Sequence, residues 1–217
     1  MNGRLAEKEG FAALVLRLRG DGLQDKPLIT AVEQTPRTLF TPSAFADAAY
    51  SRRIVPIECG AFMEGADLAL QMLFLLMIKP GQRILEIGTG SGFTAAVMAR
   101  IAERVITLDR YKTLVTLAQQ RFDQLNLGNI AARHADGSQG LKGEGTFDRI
   151  LVTGSYDALP RFFVEQLVPG GVLIAPLTDD NGACTLVRFT KIGSRFERED
   201  LMPVPFVPLK PGRAMAL

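Results

Sequence analysis

Leu85-Glu86-Ile87-Gly88-Thr89-Gly90-Ser91-Gly92-Phe93 decides the fold of this 217-residue chain. The apolar run Ile84-Leu85-Glu86-Ile87 reads as a buried strand, the glycines as a tight turn, and Phe93 to Ala102 as a helix. A turn that leaves a strand and enters a helix offers main-chain N–H groups to a ligand, and glycine, lacking a Cβ, lets the ligand come close. Outward along the chain the rhythm repeats. Val105 to Leu108 predicts a second strand, Lys112 to Leu125 a helix, and Ile130 to Arg133 a third strand. Arg149 to Thr153, a helix from Ala158 to Leu167, the Pro169-Gly170-Gly171 turn and Val172 to Ala175 continue the alternation, which specifies βαβ units and a parallel sheet. Thr185 to Ile192 and Arg198 to Val204 have no ten-residue helix between them and predict an antiparallel edge.

Upstream of the turn, residues 6 to 19 have helical character and Pro27 opens a second helix through Val32, so residues 1–35 read as an N-terminal helical cap. Residues 36–66 are rich in Pro, Gly and aromatic side chains, the composition of an ordered loop that forms a binding surface. Leu68 to Ile78 contains only Gln71 as a polar residue but is far shorter than the roughly 20 residues that span a bilayer, and reads as a buried helix. Phe11 to Leu16 is cut short by Arg17 and Arg19, too brief for a secretory signal. The expectation is a single cytoplasmic domain over 1–217, with its core in 80–217, and no membrane contact.

Composition narrows the chemistry. His134 is the only histidine and Cys59 and Cys184 the only cysteines, too few for a zinc site, and no metal is expected. A hydrolase triad would have to use His134, which reads as a strand residue. Lys and Arg number 25 against 23 Asp and Glu, a net charge of +2 that gives no sign of a nucleic-acid partner. These exclusions point to a reaction whose reactive group arrives on a cofactor.

Glycine spacing selects the cofactor. A dinucleotide fingerprint, Gly-x-Gly-x-x-Gly, would place its third glycine at position 93, which is Phe93; here the glycine falls at Gly92. A nicotinamide oxidoreductase is thereby the weakest rival. The tighter turn, with Glu86 two residues before it, resembles that of class I methyltransferases, which bind S-adenosylmethionine. Asp109 ends the next strand, 21 residues beyond Gly88, where a carboxylate accepts both ribose hydroxyls. Taken alone, Asp109 also suits a helix N-cap. Asp136-Gly137 follows the third strand, within reach of the adenine edge, though alone it reads as a turn. The candidate cofactor residues are Glu86, Gly88, Thr89, Gly90, Ser91, Gly92, Asp109, Arg110, Asp136 and Gly137.

From about Pro36 to Leu209 the chain resembles the protein-L-isoaspartate O-methyltransferase family. The resemblance rests on Ala49-Tyr50, Pro56-Ile57 with Gly60, the glycine turn, and Asp136-Gly137 with Gly140. It extends through Phe147-Asp148-Arg149-Ile150, Gln166-Leu167 before Pro169-Gly170-Gly171, and the terminal Phe206-Val207-Pro208-Leu209. It implies a Rossmann-like α/β fold: a mostly parallel seven-stranded sheet with an antiparallel edge and helices on both faces. It also implies S-adenosylmethionine as cofactor and methylation of the abnormal carboxylate of isoaspartyl residues in damaged proteins. Ester formation then promotes succinimide closure and partial repair. The acceptor is expected against Ile57, Phe62, Met63, Val207, Pro208 and Leu209, on a monomer or weak homodimer.

One departure bears on the acceptor. After Gly60 the family usually continues Gln-Thr-Ile-Ser, whereas this chain reads Ala61-Phe62-Met63-Glu64, so Glu64 takes the serine's place as the candidate catalytic residue. An acceptor carboxylate is already ionised at neutral pH and needs alignment, not a base. Serine orients such an anion by donating a hydrogen bond; an ionised glutamate repels it. Several arrangements answer this: Glu64 protonated and donating, Glu64 turned away to Arg52 or Arg53, Glu64 as base for a neutral hydroxyl or amine on another acceptor, or Glu64 as an idle surface residue. A module that binds the cofactor without turning it over is a further alternative.

Overall fold

A computed structural model describes residues 2–214, with side chains from Glu7 onward. The chain opens with α1 (Asn2–Gly20) and α2 (Lys26–Glu33), the latter capped by Asp25, whose Oδ1 accepts from Leu28 N at 2.9 Å, with Pro27 in the first turn. Short 3₁₀ turns at Arg37–Phe40 and Ser43–Ala48 lead to a small hairpin of β1 (Val55–Pro56) and β2 (Phe62–Met63). The buried helix α3 (Ala66–Leu76) then brings the chain to the sheet.

The core alternates as expected: β3 (Arg83–Ile87), α4 (Phe93–Ala99), β4 (Arg104–Asp109), α5 (Lys112–Gln124), β5 (Ile130–His134) and β6 (Phe147–Val152). A short α6 (Phe163–Gln166) precedes β7 (Leu167–Thr178), β8 (Cys184–Ile192) and β9 (Arg195–Pro203). The seven-stranded sheet runs β5-β4-β3-β6-β7-β8-β9, parallel through β7 and antiparallel over the last two pairings. The order reverses direction at β3, between β4 and β6, the place where open α/β sheets bind ligands.

Alternation along the strands feeds two cores. Ile84, Val105 and Leu151 face the layer built by α1 to α5, while Leu85, Ile106 and Ile150 face a second layer around Phe163 of α6. Helices therefore cover both faces, unequally.

Two expectations are corrected. The helix expected over Ala158 to Leu167 is only Phe163–Gln166. Pro160 starts a run of i to i+3 bonds, and Leu167 is drawn into the sheet opposite Phe147. The Pro169-Gly170-Gly171 turn does not end a loop either: it lies inside β7 as a register shift against β6. Among the described residues no helix is long and apolar enough to cross a membrane.

Candidate active site

The glycine turn is held from three sides. Gly88 N and Thr89 N donate to Leu108 O at 2.8 and 3.0 Å, Gly90 N donates to Asp109 Oδ2 at 3.0 Å, and Arg121 of α5 binds Ser91 O at 2.8 Å. Gly88 sits at φ +97°, and a Cβ there would fall 2.2 Å from Thr153 Oγ1. Gly92 faces away, toward Ala118 and Phe122, and caps α4.

In front of the turn lies a cavity of about 220 Å³ at the carboxyl ends of the parallel strands. Gly88, Gly90, Asp109, Arg110, Asp136 and Gly137 line it, as do Phe62, Val207, Pro208 and Leu209. Cys59, Tyr111, Ser138 and Thr153 also line it and were not singled out by motif. Asp109 is not a helix cap: Tyr111 holds that position, and Asp109 Oδ1 accepts from Tyr111 N at 2.9 Å. Burial pushes the Asp109 carboxyl up, against N–H donors from Tyr111, Gly90 and Arg110 that favour its charged form. Asp136 caps the 3₁₀ turn Gly137–Gln139, taking Ser138 N at 2.9 Å and Gly212 N at 2.7 Å. The C-terminal segment is tied down there and at Ser155, whose N–H donates to Val207 O and whose carbonyl accepts from Leu209 N, both at 2.9 Å. Arg110 Nε is buried without a partner among the described residues, and Arg110 lines this cavity beside the Asp109 and Asp136 carboxylates. The donor set suits an adenosyl cofactor and supplies no pyrophosphate cradle.

Glu86 stands apart from the lining. It is fully buried behind the turn, its two oxygens taken by Thr94 Oγ1 at 2.5 Å and Thr107 Oγ1 at 2.6 Å, and Thr107 in turn meets Thr89 Oγ1 at 2.8 Å. Burial pushes its carboxyl up to about 8, against those two hydroxyls. It braces Thr89 through Thr107 and does not line the cavity.

Glu64 is 8 % exposed and lines a narrow pocket of about 30 Å³ with Met63, Thr89, Ser91, Phe93, Thr94 and Phe206. Phe62, Gly88, Gly90 and Thr153 belong to both this pocket and the larger cavity, so the two adjoin. Ile57 lies behind Gly90, its Cδ1 3.8 Å from where a glycine Cβ would stand. Phe62 stacks on Phe206 at 6.2 Å between ring centres, joining the hairpin to the C-terminal segment.

Two of the arrangements open to Glu64 are corrected. It is not a surface residue, and Arg52 and Arg53 do not pair with it. Arg52 Nε binds Asp67 Oδ1 at 2.9 Å and its Nη2 reaches Asp21 at 3.2 Å, while Arg53 faces Asp47 at 3.7 Å. Gly65 explains the geometry: a Cβ there would meet Arg52 O at 2.4 Å, so the chain passes directly against residue 52 and turns Glu64 inward. The cation that does attend Glu64 is Arg37, whose Nη2 donates to the Glu64 carbonyl. No motif marks Arg37; in sequence it is one more arginine in a loop. His134 is a strand residue, its Nε2 2.9 Å from Arg110 O. Among the described residues no three His, Cys, Asp or Glu side chains are grouped to hold a metal ion.

A switch-point cavity, a Gly-x-Gly-x-Gly turn and a carboxylate at the tip of the second strand define a class I, S-adenosylmethionine-dependent methyltransferase. The model of the protein-L-isoaspartate(D-aspartate) O-methyltransferase family matches residues 9–214, and the chain belongs to that family. It is 55% identical over 198 residues to the protein-L-isoaspartate O-methyltransferase of Rhizobium meliloti (strain 1021), covering 91% of this chain and 97% of the relative. The corresponding protein of Azorhizobium caulinodans is 44% identical, with 98% of each chain covered. A solved Plasmodium falciparum protein-L-isoaspartate O-methyltransferase in complex with S-adenosyl-L-homocysteine superposes with a TM-score of 0.80 at 27% identity, over 91% of this chain and 97% of that one.

Proposed function

We propose that the protein methylates the free carboxyl group of isoaspartyl residues in damaged proteins, with Glu64 as the group that faces the acceptor. The observation that carries this placement is the narrow Glu64 pocket, which shares its Phe62, Gly88, Gly90 and Thr153 walls with the cofactor cavity. S-adenosylmethionine, when bound, supplies a methyl group already activated for displacement. Asp109 would take the ribose hydroxyls, Asp136, Gly137 and Ser138 the adenine edge, and the main chain at Gly88 to Ser91 the remaining polar end. Glu86 and Arg121 keep that main chain in place. The chain needs no base for an acceptor whose pKa is about 4. It needs alignment and exclusion of water, which Phe62, Phe206 and the Val207 to Leu209 segment provide at the junction of the two pockets. Ile57 and Met63 back this wall from the loop side.

In this scheme residues 1–217 act as one unit: 1–35 cap the fold, 36–66 present the acceptor, and 80–217 hold the cofactor. The protein works in the cytoplasm as a monomer or weak homodimer and has no nucleic-acid partner, in keeping with its net charge of +2.

Glu64→Ser tests the placement of the acceptor. The substitution removes an anion and leaves a donor, so KM for an isoaspartyl peptide is expected to fall at least about threefold while the calorimetric affinity for S-adenosylhomocysteine stays within about twofold. An unchanged KM and kcat would put the acceptor somewhere other than beside Glu64.

A further inference from the structure

Among the described residues Arg37 is the most deeply buried arginine or lysine, at 1 % exposure, and the scheme above gives it no task. Its Nη2 donates to the Glu64 carbonyl, and its guanidinium carbon stands 4.3 Å from the centre of the Phe93 ring, which lines the Glu64 pocket. Nε and Nη1 are buried with no hydrogen-bond partner among the described residues. A guanidinium with two unmet nitrogens is costly to bury, so stability alone does not account for it.

The local structure keeps the cation where it is. Arg37 N donates to Tyr50 Oη at 3.0 Å, and Tyr50 Oη and Thr38 Oγ1 both donate to the Glu7 carboxylate of α1. Thr41 Oγ1 closes the turn on Arg37 O at 3.0 Å. Burial pushes the Arg37 guanidinium down, and the largest charge acting against that is the Glu64 carboxylate.

We propose that Arg37 is a positioning residue for the acceptor: it clamps the Glu64 main chain, and its charge offsets the Glu64 carboxylate so that an anionic carboxyl group can enter beside it. The proposal rests on Glu64 facing the acceptor. With Arg37 in place the pocket wall is close to neutral; without it the wall carries one negative charge. Uncompensated repulsion between two carboxylates about 5 Å apart, at an effective dielectric of about 20, is worth on the order of a hundredfold in affinity.

The test is a double-substitution cycle on the full chain: native, Arg37→Gln, Glu64→Gln and the pair. KM and kcat are measured with an isoaspartyl peptide, S-adenosylhomocysteine affinity by calorimetry, and Tm as a control on folding. Arg37→Gln is expected to raise KM at least about tenfold in the native background, with kcat and S-adenosylhomocysteine affinity within about threefold. The field of Arg37 acts on the acceptor anion whether or not Glu64 is charged, so the same substitution is expected to raise KM by a similar factor in the Glu64→Gln background, and the pair to return to within about threefold of the native KM. No KM rise from Arg37→Gln in either background, or a pair whose KM stays as high as that of Arg37→Gln alone, overturns the proposal. Arg37→Lys keeps the charge and guards against a glutamine variant that does not fold. It is expected to hold KM within about threefold of native, and a folded lysine variant with a KM rise of tenfold or more also overturns the proposal. A native protein that binds S-adenosylhomocysteine yet methylates no isoaspartyl peptide overturns the acceptor reading and the Arg37 proposal together. Native activity with a KM that Arg37→Gln leaves unchanged overturns the Arg37 proposal alone.

Discussion

Asp109→Ala is expected to weaken S-adenosylhomocysteine binding by at least about 100-fold. The carboxylate has two tasks in the scheme above. It would accept the two ribose hydroxyls, and hydrogen bonds to a charged group contribute about 1.5–3 kcal/mol each. It also takes Gly90 N at 3.0 Å and Tyr111 N at 2.9 Å, which fixes the middle of the glycine turn and the entry to α5. Alanine removes both sets of contacts and leaves two inward N–H groups without acceptors, so a loss of about 3 kcal/mol, or 100-fold in Kd, is a lower bound. Calorimetric titration of the native and variant proteins measures it directly. An affinity within about threefold of native would mean that Asp109 does not hold the ribose.

Gly88→Val is expected to destabilise the fold as well as the site. A β-branched residue at φ +97° is a genuine conformational outlier, and its Cβ would fall 2.2 Å from Thr153 Oγ1. Thr153 has little room to yield, because its hydroxyl donates to Gly88 O at 2.9 Å and lies 3.2 Å from Ile87 O. Strain and overpacking of this kind cost about 1–3 kcal/mol each, which in a chain of this length lowers Tm by roughly 4–24 °C. Thermal melts without ligand read this term, and S-adenosylhomocysteine should then add little or no stabilisation to the variant. A native Tm together with a native ligand-induced shift would show that the turn tolerates a side chain and that its close approach to β6 is incidental.

The sheet was legible because its signals are local. Strand-length apolar runs, helical stretches of ten or more residues and glycine turns alternate from Ile84 to Leu125, which is enough for a parallel sheet, whereas the order reversal at β3 is seen only in the structure. The same local reasoning misjudged residues 158–171, where tertiary pairing of Leu167 with Phe147 overrode helical composition and carried a strand through Pro169-Gly170-Gly171. At the site, Asp109, Asp136 and the glycines lie at strand ends, and strand ends are readable. Glu86 was readable as important but not as recessed: only the structure shows Thr94 and Thr107 occupying both its oxygens. Arg37 was invisible for a different reason. Its partner is a main-chain carbonyl 27 residues away, brought close by the Gly65–Arg52 approach, and no spacing rule reports such a contact.

The most direct test of the function is the initial rate of methyl transfer from labelled S-adenosylmethionine to an isoaspartyl peptide and to its aspartyl twin, with the native protein. Transfer favouring the isoaspartyl peptide by at least about 100-fold is the expected result, since both carboxylates are ionised at neutral pH and differ chiefly in placement. Equal rates on the two peptides, or no transfer to either by a protein that binds S-adenosylhomocysteine, would contradict it.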